Sequence, residues 1–334
     1  MSRVIGWLLV LVLAASAVLG TVADHLGLTT TPPFAQLLAF RGVIGVGSLA
    51  LALVLALVGS RGRRRRGRRT AVTLLAAVLL ITGLVHIGTM TSRGVVNAAP
   101  ATPAQGPATL TVLSLNTLDG ASSPEAVADA ALAADADVLA LPETPVATAR
   151  LVADLLAGRS MPMQVFTDDY GFRHRATSLL VRDSLGNYAA TSEPTGEGFV
   201  RVEPTDGAGP TLVAIHVRRL GQVSARAWAA GLERAVQTCR STPGAVVAGD
   251  FNATLDHGPM RRLGRCVDAA AAGGPAGAGA YGTWHAAIPA LLGAPIDHVL
   301  ADGERWTVTE VGVVEVGDSD HRAVLARLAP RTGG

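Results

Sequence analysis

Apolar residues are distributed along this chain in two different patterns. Up to Met90 they form three long blocks, Val4–Ala23, Gly42–Ser60 and Thr70–Met90, in which His86 is the only ionisable side chain. A helix rises about 1.5 Å per residue, so each block is long enough to cross a hydrocarbon core about 30 Å thick. A helix of a soluble domain carries one apolar stripe rather than an apolar surface on every side. The pattern therefore predicts three transmembrane helices, at about 4–23, 42–60 and 70–90. The first block also fits a secretory signal, because small residues stand at Ala15–Ala17. The two later spans hold under either reading.

Past the third block the pattern changes. Asn97–Ala108 ("NAAPATPAQGPA") is uncharged, aperiodic and rich in Pro and Ala, the composition of a semi-extended linker. From there the apolar runs are short and bounded by turn residues. Strands are predicted over 109–115, 137–143, 177–182, 187–191, 198–204, 211–217, 244–250, 296–301, 306–316 and 321–328. Helices are predicted from the N-cap Ser123, with Pro124 behind it, to about Ala134, over Pro145–Ala157 up to Gly158, and over about Ser224–Cys239. The glycine- and alanine-rich stretch Ala270–Ala280 is expected to be a flexible loop. Consecutive strands mixed with helices predict two packed sheets with helices outside, rather than one parallel sheet. The organisation expected is a membrane anchor over 1–92, a linker over 93–108 and a folded domain over 109–330.

Charge gives the anchor a direction. The loop between the second and third blocks, Arg61–Arg69, holds seven arginines. Short basic loops stay in the cytoplasm, and Arg3 puts the N-terminus on the same side. Three spans then place everything after Met90 outside the cytoplasm, in a multi-pass protein of the cell membrane. Residues 1–100 hold ten arginines against Asp24, and residues 101–334 hold eighteen arginines against 25 acids, so +9 and −7 make up the total of +2. An acidic outer domain is a poor match for duplex DNA, which requires a basic footprint. Both cysteines, Cys239 and Cys266, lie in the outer domain, where an oxidising compartment favours a disulfide. Two free thiols are the alternative.

The ends of the predicted strands carry the chemistry. Asn116 follows "TVLSL", Glu143 follows "VLALP", His216 lies in "VAIHV", Asp250 and Asn252 follow "VVAG", Asp297 opens "DHVL", and Asp320 and His321 close "GDSDH". Each alone has an ordinary explanation as a turn former, a cap or a hydrogen-bonded core histidine. Together they put acids, amides and imidazoles at nearly every strand end of a chain with only 16% charged residues. Period-two alternation along the strand is expected to turn Asp250 and Asn252 to one face and Phe251 into the packing. The same alternation turns His298 away from the face of Asp297.

In their order, "LSLNT", "LPET", "AIHV", "AGDFNA", "IDHVL" and "SDHRAV" resemble the endonuclease/exonuclease/phosphatase superfamily, which includes deoxyribonuclease I, abasic-site endonucleases, neutral sphingomyelinases and inositol-polyphosphate phosphatases. The resemblance covers about Thr109 to Leu328. It implies a four-layer α/β sandwich of two mixed β-sheets flanked by helices, and Mg²⁺-dependent hydrolysis of a phosphate ester, with Mn²⁺ as a substitute. It implies Glu143 as the main metal ligand with Asn116 beside it, and Asp320 as a further ligand. Asp250 would position or deprotonate the attacking water, and Asn252 would hold a phosphate oxygen. His321, oriented by Asp297, would contact the scissile phosphate, and His216 would be a second phosphate-binding or acid histidine. Some relatives carry an Asp two residues after the first Asn as a second metal contact, a pattern from which this chain departs with Leu118 and then Asp119. Arg218 and Arg226 either bind substrate phosphate or lie on the surface, and Trp284 and His285 either line the pocket or do not.

The function expected is a membrane-anchored, outward-facing phosphoesterase acting on a phosphodiester. The phosphate-ester substrate is a lipid headgroup, a nucleotide or a nucleic acid. The bilayer is the other partner, and no obligate protein partner is indicated. A nuclease acting on extracellular DNA or RNA and a catalytically inactive binding or scaffold module are the alternatives.

Overall fold

A computed structural model of the protein describes residues 22–23, 25–61, 66–98, 109–169, 176–191 and 198–331. Nearly all of the apolar block at 4–23 lies outside the described residues. The chain divides into two compact units, Met1–Ser92 and Arg93–Gly334.

In the first unit a short helix, α1 (Phe34–Ala39), precedes α2 (Arg41–Arg61) and α3 (Arg66–Arg93). Among the described residues these two longer helices are the ones with the length and composition to cross a membrane, over Arg41–Val58 and Thr70–Arg93. Large apolar side chains point outward from both, with Leu53 60% and Ile81 61% exposed. The helices meet through glycines. A Cβ on Gly45 would lie 2.8 Å from Ile87 Cδ1, and one on Gly83 would lie 2.6 Å from Leu49 Cγ. Small residues that let helices approach are the usual means of association where surrounding lipid is as apolar as the side chains.

Among the described residues, the second unit is built on two six-stranded mixed sheets. The first has the order β11 (Trp306–Glu315), β12 (Arg322–Pro330), β1 (Leu110–Ser114), β2 (Val138–Pro142), β4 (Thr177–Arg182), β3 (Met163–Asp168). The second has the order β5 (Tyr188–Ala190), β6 (Phe199–Pro204), β7 (Leu212–His216), β8 (Val246–Asp250), β10 (Asp297–Asp302), β9 (Cys266–Asp268). Each sheet contains one parallel pair, β1 with β2 and β7 with β8, and every other pairing is antiparallel. A parallel pair needs a crossover. These are α4 (Pro124–Ala134) in the first sheet and α6 (Ala225–Ser241) in the second, and α5 (Val146–Ala157) follows β2. Ser123 and Ser224 cap their helices, each accepting a backbone N–H at 3.2 Å.

The apolar runs look continuous in the sequence because the central strands are covered on both faces. Val112, Val138, Ala140 and Leu179 point into the core between the sheets, together with Leu212, Ala214 and Ala248. Their neighbours Leu113, Leu139, Leu141 and Leu180 point to the other side, against Val127, Ala131, Val152 and Leu156 of α4 and α5. On the second sheet α6 buries Trp228, Leu232, Ala235 and Val236. Cys239 on that helix is bonded to Cys266 on the edge strand β9, with the Cα atoms 6.2 Å apart.

Three local features depart from the sequence reading. Strand β3 has mixed polarity and β9 has three residues, so neither carries a strand period. Second, Ala270–Ala280 is a set of tight turns rather than a flexible loop, with Ala270, Ala278 and Ala280 buried. Its glycines serve close backbone approach: a Cβ on Gly277 would lie 2.6 Å from the Ala270 carbonyl oxygen, and one on Gly279 would lie 2.7 Å from that of Arg93. Third, residues 93–97 are fastened to the unit. Arg93 pairs with Asp256 through two bonds of 2.8 and 2.6 Å, and Asn97 exchanges two hydrogen bonds with the backbone of Val313.

Candidate active site

The topology directs six chemical groups to one edge. The carboxyl ends of both parallel pairs open on the same side, and antiparallel β10 and β12 enter from it. Asn116 and Glu143 follow β1 and β2, while His216 and Asp250 close β7 and β8 as register partners. Asp297 opens β10 directly opposite Asp250, and His321 immediately precedes β12. Open α/β sheets bind ligands outside the carboxyl ends of their parallel strands.

The groups touch. Asn116, buried, donates from Nδ2 to Glu143 Oε1 at 3.2 Å and to Asp250 Oδ2 at 3.1 Å. Its Oδ1 accepts the Leu118 N–H at 3.0 Å. His216 Nε2 lies 3.6 Å from Glu143 Oε1 and 3.7 Å from Asp250 Oδ2. His321 Nδ1 bonds Asp297 Oδ2 at 2.8 Å, and its Nε2 lies 3.9 Å from Asp250 and 4.0 Å from Asp320. Residues from both sheets and both ends of the domain thus meet in one cluster.

Its backbone is held in uncommon conformations. Leu118, Asp119, Glu143 and Asn252 all have φ between 47° and 55° without being glycine. Such geometry costs about 1–3 kcal/mol per residue and persists only where surrounding structure enforces it. The fold here spends stability on placing side chains.

Asn252 reaches the site by a route other than the predicted alternation. Strand β8 ends at Asp250, and the chain then turns at Asn252. The Asn252 N–H returns to Asp250 Oδ1 at 2.7 Å, a side-chain turn of the kind Asp favours. Both amide hydrogens of Asn252 are engaged, by the Val217 carbonyl at 2.9 Å and by Asp250 Oδ2 at 3.1 Å. Phe251 is fully buried, edge-on to His298. His298 does face away from the site. It donates from Nδ1 to Asp268 at 2.7 Å and from Nε2 to the Ala253 carbonyl at 2.8 Å. Burial would lower its pKa, but the charge and hydrogen bond of Asp268 raise it, and two donated bonds require the protonated ring. This buried cation anchors the turn immediately behind Asn252.

The charges are mutually adjusted. Burial pushes Glu143 above the usual carboxylate range, against the opposing N–H groups of Asn116 and Asp119. Burial, and then the charge of Asp297, push Asp250 up to about 6, while His321 and His216 pull the other way. Burial alone would lower His321. The charge and hydrogen bond of Asp297, followed by Asp250 and Asp320, outweigh it and push the ring up to about 10. His321 is therefore a cation at neutral pH, held by Asp297 on one nitrogen with the other free to donate.

Ligating atoms of Asp250, Asp297 and His321 lie within 4.8 Å of one another, close enough to hold a metal ion together. Asp297 Oδ1 is buried with no hydrogen-bond partner among the described residues. Asp320 is half-buried, and its Oδ2 accepts the Trp284 indole N–H at 2.9 Å, so Trp284 orients this carboxylate. Asp119 supplies its backbone N–H to Glu143 Oε2 at 3.1 Å rather than a carboxylate, and its side chain is exposed. Arg218 and Arg226 are exposed, and Arg218 lines a groove beside His216. Two positioning residues carry no sequence signal of their own. Thr283 Oγ1 accepts the N–H groups of Ile296 and Asp297, and Ser319 Oγ donates to the Asn116 carbonyl at 2.6 Å while accepting the His321 N–H.

Two stacked mixed sheets with this set of acids, amides and imidazoles at their shared edge define a hydrolase acting on phosphate ester bonds. A model of the Endonuclease/Exonuclease/phosphatase family matches residues 113–321, and the chain belongs to that family. The fold is shared with solved structures, among them truncated TDP2 from Caenorhabditis elegans (18% identity, TM-score 0.50, 66% of this chain and 97% of that one) and a humanized D. rerio TDP2 carrying 14 mutations (16% identity, TM-score 0.50, 66% and 99%). No curated protein matches the sequence.

Proposed function

We propose that this protein is a membrane-anchored, extracytoplasmic, Mg²⁺-dependent phosphoesterase that hydrolyses a phosphodiester by in-line attack of water. The observation that carries the reading is the convergence of Asn116, Glu143, His216, Asp250, Asp297 and His321 on one edge. The donor set fits a hard divalent cation. Glu143 is a largely desolvated carboxylate that takes neutral N–H donors from Asn116 and Asp119, with His216 Nε2 3.6 Å away, and carboxylate and water oxygens suit Mg²⁺ or Mn²⁺ better than softer metals. Glu143 would hold the ion, with Asn116 steadying its carboxylate through Nδ2, and Asp320, beside His321, would be a further carboxylate at that edge. The triad of Asp250, Asp297 and His321 is the poorer cage, because His321 Nδ1 and Asp297 Oδ2 are bonded to each other at 2.8 Å, so the ion is assigned to Glu143. Bound there, the ion would neutralise phosphate oxygens and lower the cost of the developing negative charge.

The chain's own groups do the rest. Asp250, buried and with its proton affinity raised, accepts the proton of the attacking water and is fixed by Asn252 and Asn116. Either amide can turn one N–H from a carboxylate to a phosphate oxygen, a donor that adds no charge. His321 donates from Nε2 to the phosphate, its ring oriented and kept cationic by Asp297. His216, between Glu143 and Asp250, serves as the second phosphate-binding group. The arginines of 61–69 support a cytoplasmic loop between α2 and α3, and the Cys239–Cys266 bond supports an oxidising compartment for the domain. Hydrolysis of a phosphodiester panel by the full chain in detergent tests the reading. Glu143→Ala and Asp250→Asn should each reduce turnover at least about a thousandfold, and turnover retained by both would reject it.

A further inference from the structure

Beside the candidate catalytic edge lies a groove of about 250 Å³ between the end of β7 and α6, lined also by Phe199. That volume is below the range of pockets for drug-sized molecules and suits one ring-sized group. Helix α6 explains the space. One face buries Trp228, Leu232, Ala235 and Val236 against the second sheet. The residues that line the groove, Ala227, Ala230, Gly231 and Arg234, recur at helical spacing on another face. A solvent-facing helix normally carries long polar chains there, whereas three of these four are nearly bare backbone. Gly231 belongs to the fit, because a Cβ would lie 3.1 Å from Val217 Cγ1.

The groove opens from the site itself. His216 lines it and also stands within 4 Å of Glu143 and Asp250. A group esterified to a phosphate held at His216 therefore has this space as its neighbour. Arg218, two residues further along, is exposed, lines the same groove and makes no ion pair among the described residues. In a domain with more acids than arginines, such a cation complements an anion from outside.

Building on the phosphoesterase reading, we propose that the groove is a substrate subsite for an apolar, ring-sized group on the scissile phosphate, bearing a second anionic group that Arg218 binds. Methylphosphonate, phenylphosphonate and para-carboxyphenylphosphonate test it, since their P–C bonds resist hydrolysis. Each is titrated into the full chain in detergent with Mg²⁺ by calorimetry. The phenyl ligand should bind about tenfold more tightly than the methyl one, from burial of part of a ring. The carboxylate should add about threefold, as expected for a partly exposed ion pair. Ala230→Trp should bring the phenyl-to-methyl ratio to about one with methylphosphonate binding kept, and Arg218→Ala should remove only the gain from the carboxylate. Ala227→Leu fills the same space if Ala230→Trp does not fold. Equal affinity of the three ligands for the wild-type chain, or a phenyl preference surviving both filling variants, overturns the subsite. A chain that discriminates among the ligands yet hydrolyses no phosphate ester keeps the subsite and rejects the catalytic reading instead.

Discussion

The pair formed by Asp297 and His321 makes the sharpest quantitative prediction. In the wild-type chain His321 is pushed up to about 10, so at pH 8 about 99% of the rings are protonated. Asp297→Asn keeps the shape of the side chain and removes its charge. The largest opposition to burial is then gone and only the charges of Asp250 and Asp320 remain against it, so the ring falls back towards its ordinary value near 6.5, at which about 3% is protonated at pH 8. If the cationic ring stabilises the transition state, kcat/KM should fall by up to about thirtyfold at pH 8. At pH 6 the same substitution leaves most of the rings protonated, so the deficit should shrink to a few-fold. Asp250 moves in the same helpful direction, because the charge of Asp297 is one cause of its raised pKa. Wild-type activity should rise as pH passes about 6 and stay flat until His321 deprotonates near 10. The assay is the pH dependence of phosphodiester hydrolysis for both proteins, with the His321 ring nitrogens followed by NMR. An equal deficit at pH 6 and pH 8, or a wild-type ring titrating near 6.5, would refute the claim that Asp297 works by holding the proton.

Gly198 adopts a φ of 71°, and a Cβ there would lie 2.7 Å from the His216 carbonyl oxygen and 2.9 Å from its Cβ. Gly198→Ala should therefore displace His216, costing about 1–3 kcal/mol of stability and about tenfold in kcat or more, read by thermal melting and by kinetics on the same sample. The disulfide joins α6 to β9 across 27 residues, a loop whose closure stabilises by about 3.5 kcal/mol on chain entropy. The double variant Cys239→Ser, Cys266→Ser should melt several degrees lower with kcat unchanged below the transition, and the reductant sensitivity of the wild-type melting curve should vanish in it.

Much of this site was legible because the chemistry follows immediately after apolar runs. Glu143, Asp250 and Asp297 stand at strand ends that hydropathy locates to within a residue or two, and the residue order carries the family resemblance. What was not legible depends on how the chain leaves a strand. Period-two extrapolation past Asp250 fails because the strand stops there and a side-chain turn takes over, and no periodicity announces that change. The glycines of Ala270–Ala280 have the composition of a loose loop, yet they serve close packing, against Ala270 within the segment and against Arg93, which is distant in sequence. Thr283 and Ser319 act through backbone partners fixed only by the fold. The groove follows from a second face of α6, and small residues on a helix look unremarkable until the opposing strand is in place.

The central claim is that the assembled edge hydrolyses phosphate esters with a divalent cation held at Glu143. The most direct measurement is Mg²⁺-dependent phosphodiester turnover by the full chain after treatment with chelator, alongside Mg²⁺ binding by the wild type and Glu143→Ala. The account predicts turnover abolished by chelator and restored by Mg²⁺ in the wild type, with neither restoration nor the corresponding binding in the variant. Undiminished turnover in chelator, or in Glu143→Ala, would contradict it.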